Sequence, residues 1–337
     1  MVTIADVARH AGVSPSTVSY VLSGKRAISA ATRERVEASI KALGYHPHAG
    51  ARALASSRAN VVALVLPLRT DMHVPILLQI AMAIVTAARG HDHDVLLLTN
   101  DEGVEGLHRV ARSALVDAVI VMDVELHDPR VPVLRELGLP SVLIGFPADS
   151  AGLTCVDLDF AAAAGMCVDH LADLGHTAVA LIGPPAGVLE RGTGFARRTV
   201  AGFEEAAARR GLRAVVRSCE PLHEAVQTTV KELFAEHPEI TGLVVHNEPA
   251  LPPLLQALRG LETAVPRDVS VVAVGPQELA AQVTPTPTMV SIPAEEMGRR
   301  AVELLMDKLN GREAPNATLI PPNLTPGHST APPPARS

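Results

Sequence analysis

Tryptophan is absent from this 337-residue chain, and only two tyrosines and five phenylalanines are present. Stacking platforms for a pyranose are therefore scarce. Three cysteines, Cys155, Cys167 and Cys219, stand far apart with no CxxC or histidine pairing, so neither a disulfide framework nor a zinc site is indicated. No apolar run approaches the roughly 20 residues that span a bilayer. The opening lacks the basic, then apolar, then small-residue order of a secretory leader. Cytoplasmic residence with reduced, structural thiols is expected, with no membrane partner, metal or cofactor. The glycine-rich stretch "GPPAGVLERGTG" lacks both the GxGxxG and the GK[ST] order, so it signals phosphate cradling only weakly.

What is present is a folded chain, 47% hydrophobic against 19% charged, and long enough for two or three compact units. The net charge of −7 is unevenly spread. Residues 1–60 carry eight Lys/Arg against Asp6, Glu34 and Glu37, a net of +5, and the rest nets −12. A basic head on an acidic body is expected when only the head meets phosphates.

The head reads as three helices. Thr3 and Asp6 form a capping box ahead of Ile4, Val7, Ala8 and Ala11, which share one face, and Gly12 ends that helix. Ser14 caps a second helix with Pro15 in its first turn, where a missing N–H costs nothing. Its spacing buries Val18, Val21 and Leu22 and leaves Ser16, Thr17, Ser19 and Tyr20 outside. Ser29 caps a third helix carrying Val36, Ile40 and Leu43, closed by Gly44. A short glycine-containing turn between two helices is the mark of helix-turn-helix DNA readers. In "HPHAGARALASSRAN", Pro47 breaks the chain and Gly50 costs a helix up to about 1 kcal/mol relative to Ala, so this linker is expected to be unstructured when free.

From Val61 strands and helices alternate in two successive sets, from "NVVALVLP" to "CVDLD" and from helix 161–174 to helix 294–310. Two doubly wound lobes with parallel sheets follow, and such pairs hold a ligand in the crevice between them. The tail from Pro321 is expected to be extended or disordered. The fold class is thus α/β: a three-helix head on residues 1–46, a linker at 47–60, a two-lobed body at 61–320 and a tail at 321–337.

These phrases resemble the LacI/GalR family of bacterial transcription regulators almost end to end. The head matches its A-x-x-A-G-V-S opening, its V-S-x-V/L second helix, its T-R-x-R-V third helix and its G-Y-x-P turn. In the body "HLADLGHTAVALIG", "RRTVAGFEEAAARRG", "VPRDVSVVAVG" and "IPAEEMGRRAVELLMDKLNGREAP" sit where the family has similar phrases, and "PGHSTAPP" resembles its terminal strand. The resemblance implies a body like the periplasmic binding proteins. It also implies a homodimeric repressor on a near-palindromic DNA operator, tuned by a small-molecule effector. Pro15, Ser16 and Tyr20 would approach base edges, while Ser14, Thr17 and Ser19 would bind phosphates. Arg52 and Leu54 take the hinge positions, Leu54 as a minor-groove wedge; packing on the body is the alternative. Tyr20 replaces the usual Arg or His, so guanine cannot be gripped bidentately there; partial burial is its alternative role. His48 stands where Asn is usual.

The crevice departs most. Thr199 stands where sugar- and purine-binding members have Arg, Asn247-Glu248 replaces Asn-Asp, and Gly275-Pro276-Gln277-Glu278 keeps neither aspartate of G-x-D-D. A free sugar is accordingly disfavoured. Effector candidates are His73, Val74, Arg198, Thr199, Asn247 and Gly275. Their alternatives are a solvated helix start for His73, a surface pair with Glu204 or Glu205 for Arg198, and a turn role for Asn247. Asp157 and Asp159 share a face, with no acid–base separation legible. No nucleophile, base and orienting group come together, so an enzyme is not expected. A small-molecule binding protein without a DNA role is the runner-up.

Overall fold

A computed structural model describes residues 2–23, 26–45, 59–69, 72–113 and 115–335. Arg52 and Leu54 lie outside the described residues.

The head consists of α1 (Ile4–Ala11), α2 (Pro15–Ser23) and α3 (Ala30–Leu43). The Thr3–Asp6 capping box is formed, and Gly12 and Gly44 close α1 and α3 in the left-handed conformation that glycine adopts freely. Val7, Val18 and Val36 are fully buried and define the core. Tyr45, which the helical pattern did not flag, closes its base. Leu22, expected inside, is 40% exposed. It follows Val18 at helical spacing, but a three-helix head has no further layer to cover the end of α2. His10 Nδ1 lies 3.0 Å from Ser39 Oγ and ties α1 to α3.

The first body sheet contains β1 (Val61–Val65), β2 (Asp94–Leu98), β3 (Ala118–Val121), β4 (Ser141–Ile144), β5 (Cys155–Leu158) and β11 (Ala317–Ile320). The second contains β6 (Ala178–Gly183), β7 (Arg213–Ser218), β8 (Gly242–Val245), β9 (Ser270–Gly275), β10 (Thr288–Ser291) and β12 (Leu324–Thr325). Their orders are β11-β5-β4-β3-β1-β2 and β12-β10-β9-β8-β6-β7, parallel throughout except that β12 runs antiparallel to β10. Between them come α4 (Val74–Arg89), α5 (Gly103–Arg112), α6 (Arg130–Glu136), α7 (Phe160–Asp173), α8 (Ala186–Glu190), α9 (Gly194–Arg210), α10 (His223–Glu236), α11 (Leu251–Gly260) and α12 (Ala294–Leu309). Helices α4 and α12 pack together on the first sheet, and α7 and α9 on the second. These two inner layers belong to one continuous apolar core, and the outer helices of each lobe close a further core.

The chain changes lobe after β5 and returns through α12 to place β11 beside β5. Strands β10, β11 and β12 and helix α8 are absent from the sequence pattern, since each is short and holds no more than two apolar residues in a row. The edge strands β2 and β7 are largely uncovered. The tail is ordered across the second sheet rather than loose. Val271 N–H donates to Ser329 O, and Ala331 N–H donates to Ser270 Oγ. Where the linker enters the body, the Asp117 carboxylate accepts from Ala59 N–H at 2.7 Å and Asn60 N–H at 2.6 Å.

Candidate functional site

Two sites emerge, one on the head and one in the crevice. On the head, Ser14 Oγ is a hub. It accepts from Thr17 N–H at 3.2 Å and lies within 2.9 Å of both the Ser16 and Thr17 hydroxyls. The start of α2 is thereby preset, with Pro15 and Ser16 exposed, Thr17 and Ser19 half-buried, and the Thr17 and Val18 N–H groups both donating to Ser14 O. Tyr20 is 36% exposed, and the Arg26 guanidinium sits 5.7 Å from its ring centre. That cation–π contact puts a positive charge beside the phenol, on the face the helical spacing leaves outside.

The crevice holds a cavity of about 400 Å³ where the carboxyl ends of strands from both sheets face each other. The first lobe supplies the start of α4 (His73, Val74) and the ends of β3 and β4 (Asp123, Ile144). The second supplies Val188 of α8, Phe195 of α9 and the run His246 to Pro249 after β8. Two main-chain bonds cross between the lobes, from Gly194 N–H to Val124 O and from Leu126 N–H to Gly192 O, both 2.8 Å. His73 Nδ1 and Glu248 Oε2 also face each other across the gap at 3.5 Å.

The six candidate residues fall into two groups. His73, Val74 and Asn247 line the cavity, whereas Arg198, Thr199 and Gly275 do not. Arg198 is paired with the buried Asp157 at the cavity wall, not with the surface glutamates Glu204 and Glu205. Its guanidinium also lies 5.2 Å and 5.8 Å from the Phe146 and Phe160 ring centres. Thr199 Oγ1 donates to Phe195 O within α9 at 2.9 Å. Gly275 packs behind Glu248, whose Cγ leaves no room for a Cβ. Asn247 uses its amide nitrogen to bond Gly183 O and Cys219 O, clamping two strand ends. Asp159 caps α7 by accepting from Ala162 N–H.

Aromatic scarcity is a whole-chain property that the cavity reverses locally. Phe160, Phe195 and His246 converge with ring centres 5.3 to 5.6 Å apart. These residues, with Asp123, went unremarked in the sequence, and Glu248 was noted only as a departure from the family's Asn-Asp. Asp123, Phe160, His246 and Glu248 each lie within three residues of a strand's carboxyl end, and that placement is the signal that would have found them. Asp123 is neutralised by Arg69, which also meets Asp101 at 3.1 Å and Glu125 at 3.9 Å. Among the described residues no cluster of metal-ligating side chains occurs, and no helix is long and apolar enough to cross a membrane. Burial pushes the Cys155 and Cys167 thiols up to about 12, which makes both inert.

Burial also holds the His176 and His246 imidazoles below their ordinary value. His176 Nε2 donates to Ala331 O while Nδ1 meets Thr241 Oγ1, an arrangement that suits the neutral ring. As pH falls through about 6.5, the unfolded chain takes up protons that these folded histidines refuse, so stability is lost. Burial acts oppositely on Asp157, pushing its carboxyl up to about 6 despite Arg198. Below that value folded Asp157 holds a proton the unfolded chain has released, which offsets part of the loss. The melting temperature is therefore expected to fall between about pH 7.5 and about pH 6, with His176→Gln flattening the slope. An unchanged slope in the variant would refute the assignment to His176.

Comparison with known proteins matches two parts of the chain. Residues 3–48 match the bacterial regulatory proteins of the lacI family, and residues 168–330 match the periplasmic binding protein-like domain. The HTH-type transcriptional regulator CelR of Thermobifida fusca is 28% identical, covering 94% of this chain and 95% of that one. The structure of a CelR–cellobiose complex is 26% identical with a TM-score of 0.69, over 98% of this chain and 100% of that one. The lac repressor dimer bound to operator and the anti-inducer ONPF shares the fold at a TM-score of 0.83 and 23% identity, over 98% and 99% of the two chains. With a lacI-type head at residues 3–48, a periplasmic binding protein-like domain at 168–330 and a regulator aligned over 94% of the length, the chain belongs to the lacI family of bacterial regulatory proteins, transcriptional regulators that join a DNA-reading head to an effector-binding type of body.

Proposed function

We propose that the chain is a repressor that binds a near-palindromic operator as a homodimer, with an affinity set by a small molecule in the inter-lobe cavity. The observation that carries this reading is the outward face of α2. It presents Ser16 and Tyr20 with Arg26 alongside, at a helix start preset by Ser14, on the net-positive part of an acidic chain. Pro15 stands at the start of that face toward the base edges, and Ser14, Thr17 and Ser19 around it supply the phosphate-side contacts. Arg52 and Leu54 serve as the hinge, with Leu54 the wedge in the minor groove.

A second copy is the occupant assigned to an apolar patch on the first lobe. Leu78 and Met82 of α4 are 46% and 60% exposed, and Leu96 and Leu97 of the packed edge strand β2 are also exposed. A two-fold axis through this patch would cover it with itself and hold two heads for two half-sites. Ligand control then works by linkage. A molecule contacting His73 and Val74 on one lobe and Asn247 and Glu248 on the other favours one lobe arrangement, and the linker entry held by Asp117 passes that bias to the heads.

The test is selection of bound duplexes from a random library by the full chain, together with sedimentation. Expected is a dimer that enriches an inverted repeat; a monomer that enriches nothing would end the reading.

A further inference from the structure

The cavity's own chemistry narrows what it can hold, on the reading of the body as an effector domain. Most polar groups at its wall are already spent on the protein. Asp157 is paired with Arg198, Asp123 with Arg69, and the Asn247 amide nitrogen with two backbone carbonyls. A saccharide presents a hydroxyl on nearly every carbon, and each one buried without a partner costs about 1–3 kcal/mol. An organic anion would bring negative charge beside Glu248, against which the wall sets the Arg191 guanidinium. An organic cation would compete with His73 for Glu248, which already faces it at 3.5 Å.

What remains open is the aromatic corner. Phe160 and His246 stack at 5.3 Å with 26° between their planes, and Phe195 meets His246 edge-on at 5.5 Å. His246 is 3% exposed and lines the cavity, and its Nδ1 is buried with no hydrogen-bond partner. A neutral imidazole nitrogen either donates or accepts, depending on its tautomer, and a hydroxyl satisfies both cases. A volume of about 400 Å³ accommodates a one- or two-ring molecule. We infer that the effector is an uncharged aromatic compound bearing a hydroxyl, its ring against the Phe195–His246 corner and its hydroxyl on the His246 imidazole.

The absence of tryptophan leaves a low fluorescence background for the test. The full chain is titrated with the uncharged dye N-phenylnaphthylamine, which brightens in apolar surroundings, and the dye is then displaced. Naphthol is expected to displace it at concentrations at least about tenfold below those of cellobiose, ribose, naphthoate or a naphthylmethylammonium salt. His246→Phe keeps the stacked ring but removes the nitrogen, so naphthol should weaken about tenfold while naphthalene, which has no hydroxyl, competes as before. Val74→Glu puts a carboxylate on the cavity wall at the first position of α4, where the helix start tolerates an acid; it should weaken naphthol and naphthalene together. Preferential displacement by a saccharide or a charged compound, no dye binding, or an unchanged naphthol-to-naphthalene ratio in His246→Phe overturns the inference. Each of those results leaves operator selection standing as a separate measurement. Aromatic binding without any selected duplex would instead remove the repressor reading and keep the ligand assignment.

Discussion

Gly202→Val is expected to lower the stability of the body by about 3 kcal/mol or more, at the upper end of overpacking costs. Helices α7 and α9 cross so closely that a Cβ at Gly202 would sit 2.7 Å from the Ala161 carbonyl carbon, and nearer still to its oxygen and Cα. Backbone atoms cannot rotate away as a side chain can, so the helices must separate and open the layer that holds Phe203 and Ala206. The other lobe repeats the device at Gly298 of α12, where a Cβ would stand 2.6 Å from Ala83 Cβ and 2.8 Å from Ile80 O of α4. Gly298→Val should therefore be comparably damaging. Gly260 supplies the control: it ends α11 in open space, and alanine there should be neutral or stabilising by a few tenths of a kcal/mol. Urea unfolding followed by circular dichroism reads all three, and a Gly202→Val midpoint matching the parent chain would rule out the close crossing.

The same glycine shows how legibility divides. Gly202 was visible in the phrase "RRTVAGFEEAAARRG" as a family mark, but its role in a helix crossing depends on Ala161, which is 41 positions away in number and adjacent in space. Local features were readable because their causes are local. Thr3 with Asp6, Ser14 with Thr17, and Ser29 with Thr32 form the caps their spacing implies. The fully buried strands β3, β4, β6, β8 and β9 are the uninterrupted apolar runs. What escaped was whatever required tertiary placement. The crossover to β11 follows from a four-residue strand. The exposure of Leu22 follows from the small number of layers in the head. The partner of Arg198 is Asp157 on β5, chosen by burial, and no rule of spacing along α9 would have found it. Composition misled in one respect: five phenylalanines are few for the chain, yet two of them stand beside His246 at the cavity.

Ser16→Glu should separate head stability from DNA affinity more sharply than any deletion. Position 16 lies in the first turn of α2, exposed, with its hydroxyl 2.8 Å from Ser14 Oγ. A carboxylate there faces the positive end of the helix, an interaction worth about 0.3–1 kcal/mol, so the head's folding should be unchanged or slightly improved. Against an operator the same carboxylate meets phosphates or the electronegative edges of bases. Like charges brought together at an interface cost several kcal/mol, and the expected loss is at least about a hundredfold in affinity for a selected duplex. Ser16→Ala removes one hydroxyl and should cost at most about tenfold. Mobility shift on the selected duplex gives the affinities, and circular dichroism of the same samples checks the fold. If Ser16→Glu bound as tightly as the parent chain while removal of residues 1–58 abolished binding, the head would still be the DNA-reading unit. The start of α2 would then face away from the duplex, and the recognition surface would have to be sought on another face of the three helices.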